Sequence, residues 1–405
     1  MRPLRLLAAA AATLAIAATG GTVAAAPAAT APGVVPLAKL ALMPLSLADI
    51  GPSADGLTVQ PLSGRYDNDD AAKDDDFGIV PKQVLAGRAA GYRLLYDDVT
   101  GERLRTGEGL YDIQFRIGAY RTAAGAKRGA DVEVSAYRGA AGIDLGAFDV
   151  KVAKSGVRPG AAEVTLSVKA AGFPRQWAVM VTMPVGTLAV SVEASASSQA
   201  VVQREVRRLA ALFAQRAEDV LAGTPTAAPA RIPARPKAAR NGGLDLARLT
   251  VAPADLGVGK VESQGYEVPS STALSEFERS IGLGDDGGYE ANTTLYRSET
   301  QALFVAAAGA VLLGNGRFYE AFGIAKSIGA TAVQPTKLPP LRTGDYATSS
   351  LLSFRLGDRT VHQLIVVVVR GPVVASVARF SGGDKPTAAD AKRLADAMAT
   401  RLAAA

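Results

Sequence analysis

The sequence predicts an α+β protein made of two tandem related modules. Each is a mainly antiparallel sheet packed by helices, including an amphipathic C-terminal helix. Three observations carry this prediction. Short motifs recur in order on either side of a Pro/Arg-rich segment. Within each half, short apolar runs are joined by tight turns, as in antiparallel sheets. Each half ends in a stretch whose apolar residues fall three and four apart, the spacing of a helix with one buried stripe.

Composition bounds the modules. Residues 1–26 read as a secretory signal. Arg2 and Arg5 give a basic start, Leu6–Ala18 form an apolar run short for a bilayer, and small residues at Thr22–Ala26 suit cleavage. A retained anchor is the alternative, and the short apolar run favours cleavage. Residues 27–37 are a low-complexity Ala/Pro segment, residues 38–222 the first module and residues 244–405 the second. Between them, residues 223–243 carry four prolines and four basic residues, a composition that predicts an extended, solvated spacer. The expected address is secreted or extracytoplasmic.

The chain has no Cys. That excludes disulfides, thiolate metal sites, a Cys nucleophile and a lipid-modified Cys at the cleavage point. Each module must therefore rely on its apolar core, and a chain of this size buries roughly 70% of its unfolded surface. The formal net charge is +6, and Arg2 and Arg5 of the leader supply two of those charges. So mild an excess specifies no partner.

The elements follow in order. Ala48-Asp49-Ile50-Gly51 opens the first module and Ala254-Asp255-Leu256-Gly257 the second. Strands are predicted over 111–120, 163–168, 176–183 and 187–193, then over 289–296, 349–355, 361–369 and 373–380. The first strand of each set ends in Tyr-Arg plus a hydroxyl residue: Tyr120-Arg121-Thr122 and Tyr296-Arg297-Ser298. A helical stretch follows, clearest over 300–313. Ile365–Val369 is apolar on both faces and belongs in a sheet centre covered on each side. A strand pair then turns at Gly186, or Gly371, into the closing helix. There Val206, Leu209, Phe213 and Ala217 match Ala391, Leu394, Met398 and Leu402 at a constant spacing of 185 residues. Thr387 and Asp390 suit the N-terminal turn of the last helix.

No motif identifies a reaction. DNDDAAKDDD (67–76) resembles a calcium loop, yet Ala71 and Ala72 occupy ligand and turn positions and Gly78 stands where a bidentate Glu is needed. The second module reads PSSTALSEFE at the place taken as equivalent, so the stretch is expected to be an insertion, or a drifted loop, in one copy, hydrated because its carboxylates repel one another. His362 is the single histidine, too few for a zinc site, and no G-x-S-x-G elbow offers it a nucleophile. Its counterpart is Trp177, which favours a packed strand residue. GLGDDGGY (282–289) precedes a strand, and its aspartates would repel phosphate; GVGK (257–260) lacks the Walker spacing. The Tyr-Arg pairs could hold an anion, but Thr122 and Ser298 fit better as helix caps, with the arginines solvated. Neither a basic face with stacking aromatics nor a groove-entering helix is evident, so specific nucleic-acid binding is not expected. Arg231, Arg235, Lys237 and Arg240 of the linker could touch an anionic wall polymer or membrane surface.

Ala-Asp-Leu-Gly, the Tyr-Arg-Ser strand end, Arg342-Thr343-Gly344-Asp345, the long valine strand and the Arg/Leu-rich closing helix together give a resemblance. The chain resembles exported sensor-like and lipoprotein-like extracytoplasmic modules of actinobacteria and their relatives. Many of those carry a lipobox Cys or disulfides, which this chain lacks. The resemblance implies binding or sensing rather than catalysis, and carries over no site residue. The expectation is thus a secreted, non-catalytic protein with no cofactor, metal or catalytic residue. It would bind an unknown ligand or protein outside the cell, across the groove between modules. The alternatives are a secreted hydrolase using paired carboxylates and a cell-surface structural component.

Overall fold

The computed structural model describes residues 34–404 apart from 74–78, 225, 235–236, 258, 268, 270–272, 284–286, 314 and 322–329. The signal segment lies outside the described residues.

Among the described residues, two antiparallel sheets form. The first contains β1 (Thr58–Val59), β2 (Gly64–Arg65), β3 (Arg88–Asp97), β4 (Leu110–Tyr120), β5 (Phe148–Lys154), β6 (Ala162–Val168), β7 (Gln176–Val185) and β8 (Leu188–Ala196). Its order is β1-β3-β4-β8-β7-β6-β5, with β2 also on β3. The second contains β9 (Lys260–Glu267), β10 (Ala273–Gly282), β11 (Gly287–Tyr296), β12 (Ala330–Thr336), β13 (Tyr346–Leu356), β14 (Arg359–Arg370) and β15 (Val373–Ser381). Its order is β12-β13-β14-β15-β11-β10-β9. From β3 onward the first order repeats in the second, strand for strand. The register agrees as well: Arg116 faces Ser191 across β4 and β8, and Asn292 faces Ser376 across β11 and β15.

Helices α1 (Leu37–Leu40) and α2 (Leu47–Ile50) open the first module, and α3 (Asn68–Lys73) and α4 (Ile79–Leu85) lie between β2 and β3. After β3 come α5 (Glu102–Thr106), α6 (Ala123–Arg138) and the closing α7 (Gln199–Ala222). The second module has α8 (Leu246–Leu249), α9 (Pro253–Leu256), α10 (Glu299–Leu313), α11 (Gly316–Ala321) and the closing α12 (Ala388–Ala403).

The closing helices cover one face of each sheet. Val202, Val206, Leu209 and Phe213 of α7 meet Phe115, Ile117, Val181 and Val190 in one core, and Phe115 and Phe213 stack edge to face at 5.1 Å. Ala391, Leu394, Met398 and Leu402 of α12 meet Phe277, Leu364, Val366 and Val368 in another. The Ala-Asp-x-Gly motifs clip these helices down. Asp49 accepts from both terminal nitrogens of Arg216 at 2.7 Å. Asp255 accepts from Arg401 Nε at 2.6 Å. About two turns earlier on each helix, Arg208 donates to the Ile50 carbonyl at 2.7 Å and Arg393 to the Leu256 carbonyl at 3.2 Å. The same two contacts thus recur at equivalent positions.

The opposite faces of the two sheets share a third core. Val134 and Tyr137 of α6, Phe148, Leu166 and Met180 pack in it with Ala302, Val305 and Ala306 of α10, Leu352, Phe354, Ile365 and Val367. This explains why α10 is apolar on every side: it lies between the modules. Gln301 Nε2 donates to the Asp98 carbonyl at 3.1 Å and Asn315 Nδ2 to the Leu145 carbonyl at 2.7 Å, tying the halves further. The expected inter-module groove is therefore a filled interior among the described residues.

Two further expectations are corrected. The linker is not a free spacer: Ala230 and Ile232 pack against the first module's core. The Ala239 carbonyl and Asn241 bind Ser275 and Leu274 of β10. The segment PSSTALSEFE is not the equivalent of the aspartate stretch, because most of it is strand β10, which matches β3. The second module runs from β9 to β10 through residues 268–272, where the first places α3 and α4. The aspartate stretch is thus an insertion peculiar to the first module. Part of it, 74–76, lies outside the described residues.

Candidate functional site

The insertion roofs a polar chamber. Its floor is the inner face of β3, β4 and β8, its wall is α6, and α3 and α4 close it from above. Arg88, Arg116, Gly118, Tyr120, Ser191 and Glu133 line it from sheet and wall, with Tyr66, Val80 and Gln83 opposite, around a volume of about 80 Å³.

Small residues make this room. A Cβ on Gly91 would overlap the Arg88 guanidinium, and one on Gly129 of α6 would overlap the Tyr120 phenol. Arg88 is 6% exposed; it donates to the side-chain oxygen of Asn68 and, at 2.8 Å, to the Tyr66 carbonyl. Burial lowers its pKa from the ordinary arginine value. Tyr66 also stacks beneath Arg93, 4.3 Å from ring centre to guanidinium. Arg116 Nη2 is spent on two carboxylates, Glu193 at 3.0 Å and Glu133 at 3.3 Å. Thr182 and Ser191 donate to Glu133 at 3.0 and 3.1 Å. Desolvation disfavours the Arg116 charge, but Glu133 and Glu193 outweigh it and hold the pKa above the ordinary value. Burial pushes Glu193 upward. Two donors are left over: Tyr120 Oη and Arg116 Nε are buried and have no hydrogen-bond partner among the described residues.

The second module lacks this apparatus. Arg88 pairs with Tyr120 across β3 and β4, and the matching pair is Ala273 with Tyr296. By the same register Asn292 replaces Arg116 and Ala378 replaces Glu193. Counting from the caps Thr122 and Ser298, Gly309 stands where Glu133 does. The buried Arg88, Glu133 and Glu193 thus give way to Ala273, Gly309 and Ala378, while Asn292 stays polar and donates to Glu276 and Glu278.

Comparison with family models and with curated protein sequences finds no match. Among solved structures, the extracellular domain of PknH from Mycobacterium tuberculosis is similar at 12% identity and TM-score 0.34, over 46% of this chain and 98% of that one. The di-domain ARO/CYC StfQ of the steffimycin biosynthetic pathway aligns at 10% identity and TM-score 0.14, over 91% and 96%. The corresponding BexL of the BE-7585A pathway aligns at 7% and 0.12, over 86% and 94%. Likenesses this weak carry no functional argument.

The structure also places the motifs of the sequence. Thr122 Oγ1 accepts from Gly125 N at 3.0 Å and Ser298 Oγ from Gln301 N at 3.2 Å, so both hydroxyls cap helices. Arg121 and Arg297 are exposed. His362 is half-buried on β14 with Nδ1 2.8 Å from Ser353 Oγ, and no carboxylate of the described residues orients its other nitrogen. Burial and then Lys385 lower its pKa. In GLGDDGGY, Leu283 N donates to the Gly287 carbonyl at 3.0 Å, with 284–286 outside the described residues. Asp67 pairs with Arg65 at 3.1 Å. No group of three possible metal ligands occurs among the described residues. Of the chamber residues, sequence reasoning named Tyr120 and Ala71 and assigned neither to a site, because the lining comes from six separate elements and belongs to no short motif.

Proposed function

We propose that the chain is an extracytoplasmic, non-catalytic binding protein whose first module holds the ligand and whose second braces it. One observation supports this most: the charged and polar chamber walls of the first module are replaced by Ala273, Asn292, Gly309 and Ala378 in the second. A polar interior is costly to keep and is retained where it serves a purpose. The matched strand orders and the paired Asp-Arg clips support descent of both modules from one duplicated fold. The basic, then apolar, leader supports export.

The test is a thermal-shift screen of the chain from residue 27 onward against small polar metabolites and cell-wall fragments. A saturable stabilisation that disappears when Gly118→Leu fills the chamber supports the reading. Stabilisation insensitive to Gly118→Leu in a folded variant, or none at all, refutes it. N-terminal sequencing of protein from culture supernatant checks the leader.

A hydrolase using paired carboxylates is the second reading, favoured because Glu133 and Glu193 meet at one Arg116 nitrogen. That guanidinium occupies the space a scissile bond would need, and the chamber is small for a sugar ring. Turnover of aryl glycosides that is lost in Glu133→Gln would establish it.

A further inference from the structure

We infer that the chamber of the first module takes a small carboxylate anion, with Arg88 as its counter-ion and Tyr120 Oη and Arg116 Nε as its remaining donors. This rests on the binding reading above. The first ground is Arg88 itself. A guanidinium this deeply buried is costly unless a negative charge or a full set of acceptors meets it. Arg279 in the second module shows how such a group is otherwise satisfied: it donates to Gln264 and to the carbonyls of Ala247, Thr250 and Val251. Among the described residues Arg88 donates to Asn68 and the Tyr66 carbonyl and lies 5.7 Å from the centre of the Tyr66 ring, all neutral partners, and no carboxylate lies in ion-pair reach of it.

The second ground is independent. Tyr120 is fully buried, and its hydroxyl and Arg116 Nε have no hydrogen-bond partner among the described residues; both residues line the chamber with Arg88. Buried donors without acceptors are costly, and a guest rich in lone pairs removes that cost. A carboxylate offers about four lone-pair sites on two oxygens, which suits a guanidinium and a phenol together. Glu133 is the one acid among the lining residues; its field favours the Arg88 charge, but its oxygens already accept from Thr182, Ser191 and Arg116 and it makes no ion pair with Arg88.

Size narrows the class. About 80 Å³ holds on the order of five non-hydrogen atoms, on the scale where one water needs roughly 10–15 Å³. Acetate, glyoxylate and pyruvate fall in that range. Arg116 keeps 28% of its side chain accessible, which leaves a route to solvent.

Calorimetric titration of the mature chain at constant ionic strength, with sodium acetate, glyoxylate and pyruvate, tests the assignment. Acetamide serves as the neutral isostere, and phosphate and sulfate as other anions. Saturable carboxylate binding is expected, weakened at least about tenfold by Arg88→Gln and severalfold by Tyr120→Phe, and unchanged by Arg297→Gln at the exposed arginine. If Arg88→Gln fails to fold, as judged by circular dichroism, Tyr120→Phe and the acetamide comparison carry the test. Acetamide binding as tightly as acetate, or phosphate binding without acetate binding, overturns the carboxylate assignment and leaves a ligand chamber standing. Absence of saturable binding by every probe, together with a failed metabolite screen, overturns both.

Discussion

Single residues in this chain divide into those that hold the fold and those the fold does not require. Asp49 is of the first kind. Its bidentate bond from Arg216, with further bonds from Ser46, outweighs burial and brings its pKa down to about 2. A depressed carboxylate pKa stabilises the folded state above the unfolded value near 3.8, and that contribution is lost as pH falls through about 2. Acid unfolding of Arg216→Met should therefore begin at higher pH than in the parent, with the difference between the two shrinking toward pH 2. Circular dichroism against pH would show it, and superimposable curves would mean the pair contributes nothing. The Asp of Ala-Asp-x-Gly was legible in the sequence as a recurrence, yet its partner, 167 positions along the chain, was not. Sequence spacing shows which residues share one helix face; it does not show which distant side chain that face meets.

At the scale of elements, the strands with strong alternation or continuous apolar runs were readable. Those predicted over 361–369 and 373–380 form as β14 at Arg359–Arg370 and β15 at Val373–Ser381. The edge strands β5, β9 and β12, and the paired β3 and β10, were missed. Lys154, Glu262, Arg93 and Glu278 interrupt their apolar pattern because part of each strand faces water or the polar chamber. Helix α10 was recognised, but its all-round apolarity is meaningful only with the other module against it. Ala306 is 3% exposed within the shared core. Ala306→Asp should cost at least about 3 kcal/mol, since it buries a carboxylate with no counter-ion. Urea denaturation should show a lowered midpoint for both modules together, and loss confined to the second module would contradict the shared core.

At the scale of the whole molecule, the three largest apolar cores among the described residues run through the chain, and one of them draws on both modules. Trypsin cutting at the exposed Arg231 and Arg240 of the linker should yield two fragments that still co-elute in gel filtration, held by that core. Separate elution would show that the modules are independent. The inner face of the second sheet adds a pH dependence of its own. Burial, reinforced by Glu278, raises Glu290 from 4.5 to about 7. Between these values the folded chain holds a proton that the unfolded chain has released, so stability falls as pH rises through the window and levels off above it. Glu290→Gln should flatten the decline between pH 5 and pH 8 in urea titrations, and an unchanged slope would place its origin elsewhere.

The sequence by itself determined the class, the strongest strands and the caps. These depend on periodicity and on contacts a few residues apart. Only the tertiary structure decided that the halves share an interior, that the linker is strapped down, and that Arg88, Arg116, Tyr120, Glu133 and Glu193 converge. The physical reason is that burial and electrostatic pairing belong to the folded arrangement. An arginine on a half-polar strand looks solvated in sequence, and only the packing of an inserted helix pair over it shows that it is not.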